Sequence, residues 1–198
     1  MKKLLLMLAA VGMIFTACED NNDNDGATSS NPLATLTCAP NEILYTTKYG
    51  LPIELSNTQG FGGNLIYNIY EEGIGRLVFD YDIVTIPDEA FNGCKSIKYV
   101  KYPNSVASIG NAAFYNCISL ASVTILNSVT SIGEYAFRGC NNLTSIYCKS
   151  TTPPSGSSYM FNVNSSYRKI YVPTASVNAY KSAQYWSSYA SNIVGYDF

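Results

Sequence analysis

Apolar residues return every 23 positions through the middle of the chain, and the polar residues between them keep the same spacing. Cysteine shows the period most simply, at Cys94, Cys117 and Cys140, and a phenylalanine precedes each cysteine by three residues. Self-similarity of this length indicates stacked structural repeats, in which no single repeat can bury its own apolar face. We therefore predict a repeat domain of about five coils over residues 73–172.

Two spacings within each repeat predict two kinds of local structure. Ile132, Phe137 and Cys140 are five and three residues apart, which favours a short helical or 3₁₀ leg. Ile146 and Cys148 are two apart, as in a strand whose side chains alternate between its faces. The apolar pattern of the strand leg is that of a leucine-rich repeat. The predicted fold class is a repeat solenoid of 23-residue coils with short parallel β-strands.

Regions on both sides of the repeats are predicted to cap the solenoid, because bare coil faces would expose core side chains. Residues 38–72 are predicted to be a β-rich N-terminal cap and residues 173–198 a small helical C-terminal cap. The predicted elements are, in order, a hairpin within residues 41–55, a hairpin turning at residues 71–73, a helix over residues 176–183, and Trp186 and Ile193 as a plug for the last coil.

The first residues are typical of an export signal rather than of the fold. Two lysines precede an apolar run that ends at Phe15 and is shorter than the ~20 residues of a membrane-spanning helix. The segment Phe15-Thr16-Ala17-Cys18 resembles a bacterial lipobox, which implies that residues 1–17 are a lipoprotein signal peptide and that Cys18 carries lipid. An ordinary secretory signal with an incidental cysteine is the alternative. Residues 18–37, rich in acidic residues and asparagine at their start, are predicted to be a lipid-anchored tether.

The composition of the chain mainly excludes classes of function. Only 13% of the residues are charged, the net charge is −2, and there is no histidine. A chain without histidine has no Ser-His-Asp or Cys-His nucleophile pair and no histidine-ligated zinc or haem, and this charge offers no basic surface to nucleic acid. The acidic residues between Asp80 and Glu89 lie in predicted turns and are interpreted as solvated. We therefore expect no enzyme activity, no catalytic residues, no metal site, no cofactor and no nucleic-acid partner.

The cysteine column admits three interpretations. Small thiols next to apolar columns suit the core of the coils, because a free cysteine behaves as a buried hydrophobe. An exported protein also allows a disulfide, and a column of thiols would suit a metal. Core packing fits the repeat best, since three residues of one column cannot all pair with each other. The cysteines concerned are Cys38, Cys94, Cys117, Cys140 and Cys148.

Strand residues that alternate with the inward positions define the candidate binding surface. Val100 and Tyr102 are assigned inward, so their neighbours face outward, on the concave side of a leucine-rich solenoid. Tyrosines in this set would supply large contact area to a protein and would also suit sugar rings. The alternative is that these are ordinary solvated strand positions. The predicted binding residues are Arg76, Val78, Tyr99, Lys101, Ser122, Thr124, Ser145, Tyr147, Lys169 and Tyr171.

The repeat from Val129 to Ile146 resembles the BspA-type leucine-rich repeat, and residues 171–180 resemble the close of such lipoproteins. Members of that family are typically exported surface proteins of gut and oral anaerobic bacteria linked to adhesion, and the family supplies no catalytic residues. The last predicted coil departs from the repeat pattern. In that coil the glycine, cysteine and leucine columns hold Pro154, Asn164 and Tyr167.

The resemblance implies a cell-surface binding or adhesion module, anchored by lipid to the outer membrane and facing outward. The expected partner is a host or environmental protein or glycan, held by the concave sheet. The alternative is a structural component of the cell envelope that binds another bacterial surface protein. We expect a monomer that contacts the membrane only through its lipid.

Overall fold

A computed structural model describes residues 31–198 of the chain. The predicted signal peptide, Cys18 and the first part of the predicted tether lie outside the described residues. No helix among the described residues has the length and apolar character needed to cross a membrane.

The strands are β1 (Glu42–Thr47), β2 (Leu65–Glu71), β3 (Ile74–Phe79), β4 (Thr85–Ile86), β5 (Ile97–Lys101), β6 (Ser108–Ile109), β7 (Ser122–Ile125), β8 (Ser131–Ile132), β9 (Ser145–Cys148), β10 (Lys169–Pro173) and β11 (Ile193–Tyr196). The helical segments are the 3₁₀ turn Thr174–Ser176, the helix α1 (Val177–Ser182) and the 3₁₀ segment Trp186–Asn192.

Equivalent strands of consecutive coils pair side by side in parallel. In the ladder of β4, β6 and β8, Ile86 lies opposite Ile109 and Ile109 lies opposite Ile132. β7, β9 and β10 form a second parallel ladder, and a main-chain hydrogen bond from Ala121 to Lys98 sets β5 beside β7. Residues one repeat apart in the sequence therefore lie opposite each other on paired strands. The predicted short parallel strands are confirmed.

The segments between these strands are turns rather than the short helical or 3₁₀ legs that their spacing predicts. They contain main-chain hydrogen bonds three residues apart, such as Cys94 N–H to the Phe91 carbonyl at 3.0 Å. Two positions in each coil have a left-handed φ, and such a residue interrupts the right-handed dihedrals that a helical leg needs. One column of left-handed residues is Glu89, Ala112, Tyr135 and Tyr159, and the other is Gly93, Asn116, Gly139 and Val163.

The apolar columns form one continuous core inside the coils. Phe91, Phe114, Phe137 and Phe161 stack in succession, with ring centroids 4.8, 5.1 and 5.5 Å apart. Cys94, Cys117, Cys140 and Cys148 are free and buried, and the Cys117 thiol donates a hydrogen bond of 3.1 Å to the Phe91 carbonyl of the preceding coil. The cysteines therefore occupy the core as small side chains, as the repeat spacing predicts.

The first sheet has the strand order β2-β3-β1-β5 and is antiparallel. The predicted hairpin turning at residues 71–73 is confirmed, because β2 and β3 pair around it. The predicted hairpin within residues 41–55 is wrong, because β1 pairs with β3 and β5 instead of with residues 51–55. All six residues of β1 are buried, so this strand requires neighbours on both edges and packing on both faces.

Residues 31–38 lie over the outer face of this first sheet, the face turned away from the main core, and we call them the cover segment. Leu33 is only 1% exposed and packs with Leu44 and Tyr99 in a small apolar cluster separate from the main core. The Lys101 ammonium donates to the carbonyls of Leu33 and of the next residue, at 3.4 and 3.3 Å. Part of the segment predicted as a tether therefore packs on the fold, from Leu33 onward.

The C-terminal cap adds a further coil to the repeats. α1 confirms the helix predicted over residues 176–183, and Trp186 and Ile193 are buried as predicted. The cap also contributes β11, which the sequence analysis missed. This strand pairs in parallel with β10 and places Ile193 opposite Ile170. The Trp186 ring lies 5.9 Å from that of Phe161 and closes the phenylalanine stack.

Candidate binding site on the outer face of the strands

The outer face of the repeat strands brings together six of the ten predicted binding residues. β7, β9 and β10 lie side by side in register, so their outward residues form two rows across the sheet. These residues are half-buried, apart from one exposed lysine on β10. The surface, which we call the open face, comprises Ser122, Thr124, Ser145, Tyr147, Lys169 and Tyr171.

The other four predicted binding residues do not join the open face. The expectation that Tyr99 is exposed is wrong, since it is 8% exposed and lies against the cover segment. Lys101 donates to carbonyls of the same segment. Arg76 forms an ion pair of 2.6 Å with Glu42, and β1 separates it and Val78 from the repeat strands. The 23-residue spacing places β3 beside β5, but the insertion of β1 between them moves the first outward residues away from the rest.

An aromatic cluster forms the C-terminal side of the open face and extends beyond it, and we define it as Tyr147, Tyr171, Tyr196 and Phe198. The first two rings stack with centroids 4.9 Å apart and an angle of 14° between their planes. Tyr196 packs edge-on against both, at 5.8 and 5.5 Å, and Phe198 packs edge-on against Tyr196 at 5.0 Å. Sequence reasoning missed the last two residues, although Tyr196 lies 23 residues after Pro173, its partner on β10.

Small polar side chains form the floor of the open face. Ser122 and Thr124 on β7 and Ser145 on β9 lie between the cover segment and the aromatic cluster. β7 is one strand away from β5, whose Tyr99 is covered, and one strand away from β9, which carries Tyr147. Since neighbouring strands are ~4.8 Å apart, the axes of β5 and β9 are roughly 10 Å apart, and the small side chains of β7 lie between them.

The acidic residues of the first turns act within the fold. Asp80 accepts hydrogen bonds from the side chain and the main-chain N–H of Asn64, at 3.0 and 2.6 Å, and these bonds lower the pKa of its carboxyl. Asp88 accepts a hydrogen bond of 2.6 Å from the N–H of Asn111 in the next coil. Within residues 31–198, no three histidine, cysteine or acidic side chains are grouped so as to hold a metal ion. These carboxylates thus stabilise turns.

Three of the buried thiols, those of Cys94, Cys117 and Cys148, are poor nucleophiles. Burial raises the pKa of the Cys94 thiol to about 11, and it also raises the pKa values of Cys117 and Cys148. A thiol acts as a nucleophile or a metal ligand in its ionised form. The cysteine column therefore serves packing, and the open face remains the candidate functional site.

Comparison with protein-family models finds a BspA type leucine rich repeat region over residues 67–191, in six copies. The matched residues make up more than half of the 198-residue chain and extend beyond the predicted span of 73–172 at both ends. No curated protein matches the chain significantly. Leucine-rich-repeat domains in general mediate protein–protein interactions, so the match supports protein binding as the general role.

Proposed function

The chain belongs to the BspA type leucine-rich-repeat family, and we propose that it is a surface-displayed module that binds a protein partner through the open face. The aromatic cluster beside a floor of small polar residues carries this proposal. Aromatic side chains are enriched at the centres of interfaces and supply large contact area at low cost in conformational entropy. We take the stacked coils to be a leucine-rich-repeat solenoid whose concave side contains the open face.

The arrangement of the rings favours a protein partner over a glycan. A sugar binds an aromatic side chain by lying flat on an accessible ring face. Tyr147 and Tyr171 instead cover one face of each other, and Tyr196 lies beside the pair in T-shaped contact with both rings. Tyrosine edges and hydroxyl groups suit mixed apolar and hydrogen-bonding contacts with a polypeptide.

We also propose that the chain is exported and held at the outer membrane by a lipid on Cys18, as a monomer facing a host or environmental protein. The support is the sequence before residue 18, with its two lysines, its short apolar run and its lipobox-like segment. Two or three acyl chains would give stable attachment, because each buried CH₂ contributes ~0.8 kcal/mol.

Labelling of cells with a radioactive fatty acid tests the anchor. We expect label on the parent chain and none on a Cys18→Ala variant, because the thiol of Cys18 is the proposed site of lipid attachment. Immunoprecipitation followed by autoradiography measures the label. Ser29→Ala, a change within the predicted tether, is the control and should be labelled like the parent. Equal labelling of the Cys18→Ala variant would contradict the anchor.

An array of host proteins and glycans tests the binding proposal. The full-length chain, purified in detergent, is expected to retain one or more proteins. A Tyr147→Ser/Tyr171→Ser double variant should bind them at least ~10-fold more weakly, because truncation of central aromatic residues removes most of an interface's affinity. The control is Tyr81→Ser/Tyr167→Ser, which removes two tyrosines that are 67% and 85% exposed outside the open face.

Other results of the same experiment would redirect the proposal. Unchanged affinity of the double variant would show that the open face is not the binding site. Retention of glycans alone would replace the protein partner by a carbohydrate. A blank array, together with co-purification of a cell-envelope protein, would support the structural role instead.

A further inference from the structure

The cover segment, residues 31–38, shows how the outer face of the first sheet holds a polypeptide. It contains two consecutive turns, closed by main-chain hydrogen bonds of 3.2 Å from Ala34 to Asn31 and from Leu36 to Leu33. The first turn presents the Leu33 side chain to the outer face, where it is buried against Tyr99. The turn therefore presents one leucine side chain to a tyrosine on the sheet.

The main chain of the same turn is held by a lysine. The Lys101 ammonium donates to two consecutive carbonyls of the segment, at 3.4 and 3.3 Å. Tyr99 and Lys101 are two residues apart on β5, so they project from the same face of the sheet. In this binding mode a tyrosine contacts an apolar side chain, and a lysine donates hydrogen bonds to main-chain carbonyls.

The open face carries the same two groups on one strand. Lys169 and Tyr171 are two residues apart on β10 and project from the same outer face, next to Tyr147 on β9. The order along the strand is reversed relative to β5, where the tyrosine precedes the lysine. Between Tyr99 on β5 and Tyr147 on β9 lie only the small side chains of β7, and the axes of β5 and β9 are roughly 10 Å apart. The open face is thus continuous with a surface that already binds a polypeptide turn.

We propose that the open face binds a turn-forming polypeptide segment that places a leucine-type side chain against Tyr147 and Tyr171 and directs main-chain carbonyls to Lys169. This inference rests on the proposed function and specifies the chemistry of the partner. The lysine contacts main-chain oxygens, so the apolar residue of the partner determines recognition.

Selection from a random peptide library on the immobilised full-length chain tests this inference. The peptides obtained are expected to share a leucine, isoleucine or methionine within a turn-forming context. Their affinities are then measured by fluorescence anisotropy. We expect at least ~10-fold weaker binding to Tyr171→Ser and to Lys169→Glu, and unchanged binding to the Tyr81→Ser control. Lys169→Arg keeps the donor and should retain most of the affinity.

The outcomes separate this inference from the proposed function. If Tyr147→Ser/Tyr171→Ser loses the array partner but the selected peptides carry no common apolar residue, the turn-binding inference is wrong and the proposed function stands. If the array partner binds the double variant normally, both are wrong. Thermal unfolding of each variant identifies any loss of the fold. If Tyr171→Ser unfolds, Lys169→Glu carries the test, because the Lys169 side chain is exposed and its replacement leaves the core intact.

Discussion

At the residue scale, the cysteine column shows how a single side chain links one coil to the previous one. The thiols of Cys117 and Cys140 donate hydrogen bonds of 3.1 Å to the carbonyls of Phe91 and Phe114 in the preceding coils. A cysteine here fills the space of a small hydrophobe and also gives a second hydrogen bond to a carbonyl that already accepts one from a main-chain N–H of its own turn. Alanine would fill similar space without the donor, and serine would bring a more polar group into the core.

The same burial predicts a loss of stability at alkaline pH. An unfolded cysteine ionises near pH ~8.5, whereas burial raises the pKa of Cys94 in the folded chain to about 11. Between these values the unfolded state binds fewer protons than the folded state, so the free energy of unfolding decreases as the pH rises. The contribution of this thiol is complete below pH ~8.5 and is lost by about pH 11.

Urea denaturation at about pH 8 and about pH 10.5 measures the effect. We expect Cys94→Ala to reduce the decline in the free energy of unfolding by roughly 2–3 kcal/mol relative to the parent. Part of the decline remains in the variant, since the pKa of Cys117 is also raised. An identical decline in the free energy of unfolding of the parent and of Cys94→Ala would contradict this prediction. It would show that the Cys94 thiol has the same pKa in the folded and unfolded states.

At the element scale, glycine sets the distance between consecutive coils. A Cβ added at Gly133 would lie 2.5 Å from the main-chain nitrogen of Asn111, and one added at Gly110 would lie 2.5 Å from the main-chain nitrogen of Asp88. Neither glycine has a left-handed φ, so close approach of the backbones is the reason for glycine here. The coils can then form their intercoil hydrogen bonds, such as Glu134 N–H to the Asn111 side chain at 2.8 Å.

Gly133→Ala is therefore expected to destabilise the chain by ~1–3 kcal/mol, since the added methyl group meets backbone that cannot move independently. Urea denaturation at neutral pH measures the change. Gly50→Asn is the control and should be nearly neutral, because nothing lies within 4 Å of the added Cβ and asparagine tolerates the left-handed φ of 68°. Equal stability of the two variants would mean that the coils separate freely at this point.

The repeat made most of the fold predictable at this scale, but it made only part of the site predictable. Parallel pairing follows from the 23-residue period, and so do the phenylalanine stack and the six residues of the open face. The burial of Tyr99 could not be predicted, because it depends on β1 and on Leu33, which lie outside the repeat and contact it from a distance in sequence. β11 was missed because helical turns replace the repeat's turns before it, although the spacing of Ile170 and Ile193 is kept.

At the scale of the whole molecule, one core extends through every coil and is closed at both ends by an aromatic side chain. At the N-terminal end Phe61 is 1% exposed, and its ring lies 4.6 Å from that of Phe79 and 6.4 Å from that of Phe91. At the C-terminal end Trp186 is fully buried, and its ring lies 5.0 Å from that of Tyr180. In a stack of repeats each coil contacts only its neighbours, so damage at one end is expected to remain near that end.

Trp186→Ala tests this expectation. The Trp186 indole N–H donates a hydrogen bond of 2.8 Å to the Pro154 carbonyl, and its ring packs on Phe161. Removal of the ring should lower the free energy of unfolding by ~3–5 kcal/mol.

The location of the lost hydrogen-exchange protection is the decisive result. In a globular core, removal of one ring would reduce protection throughout the chain. Native-state hydrogen exchange should show loss of protection in β10 and β11 in Trp186→Ala, and much less loss in β1 and β5. Phe61→Ala, at the opposite end, is the matched control and should give the reverse pattern. A uniform loss of protection in both variants would mean that the chain unfolds as one cooperative unit. The open face, which lies next to the C-terminal cap, would then depend equally on both ends of the molecule.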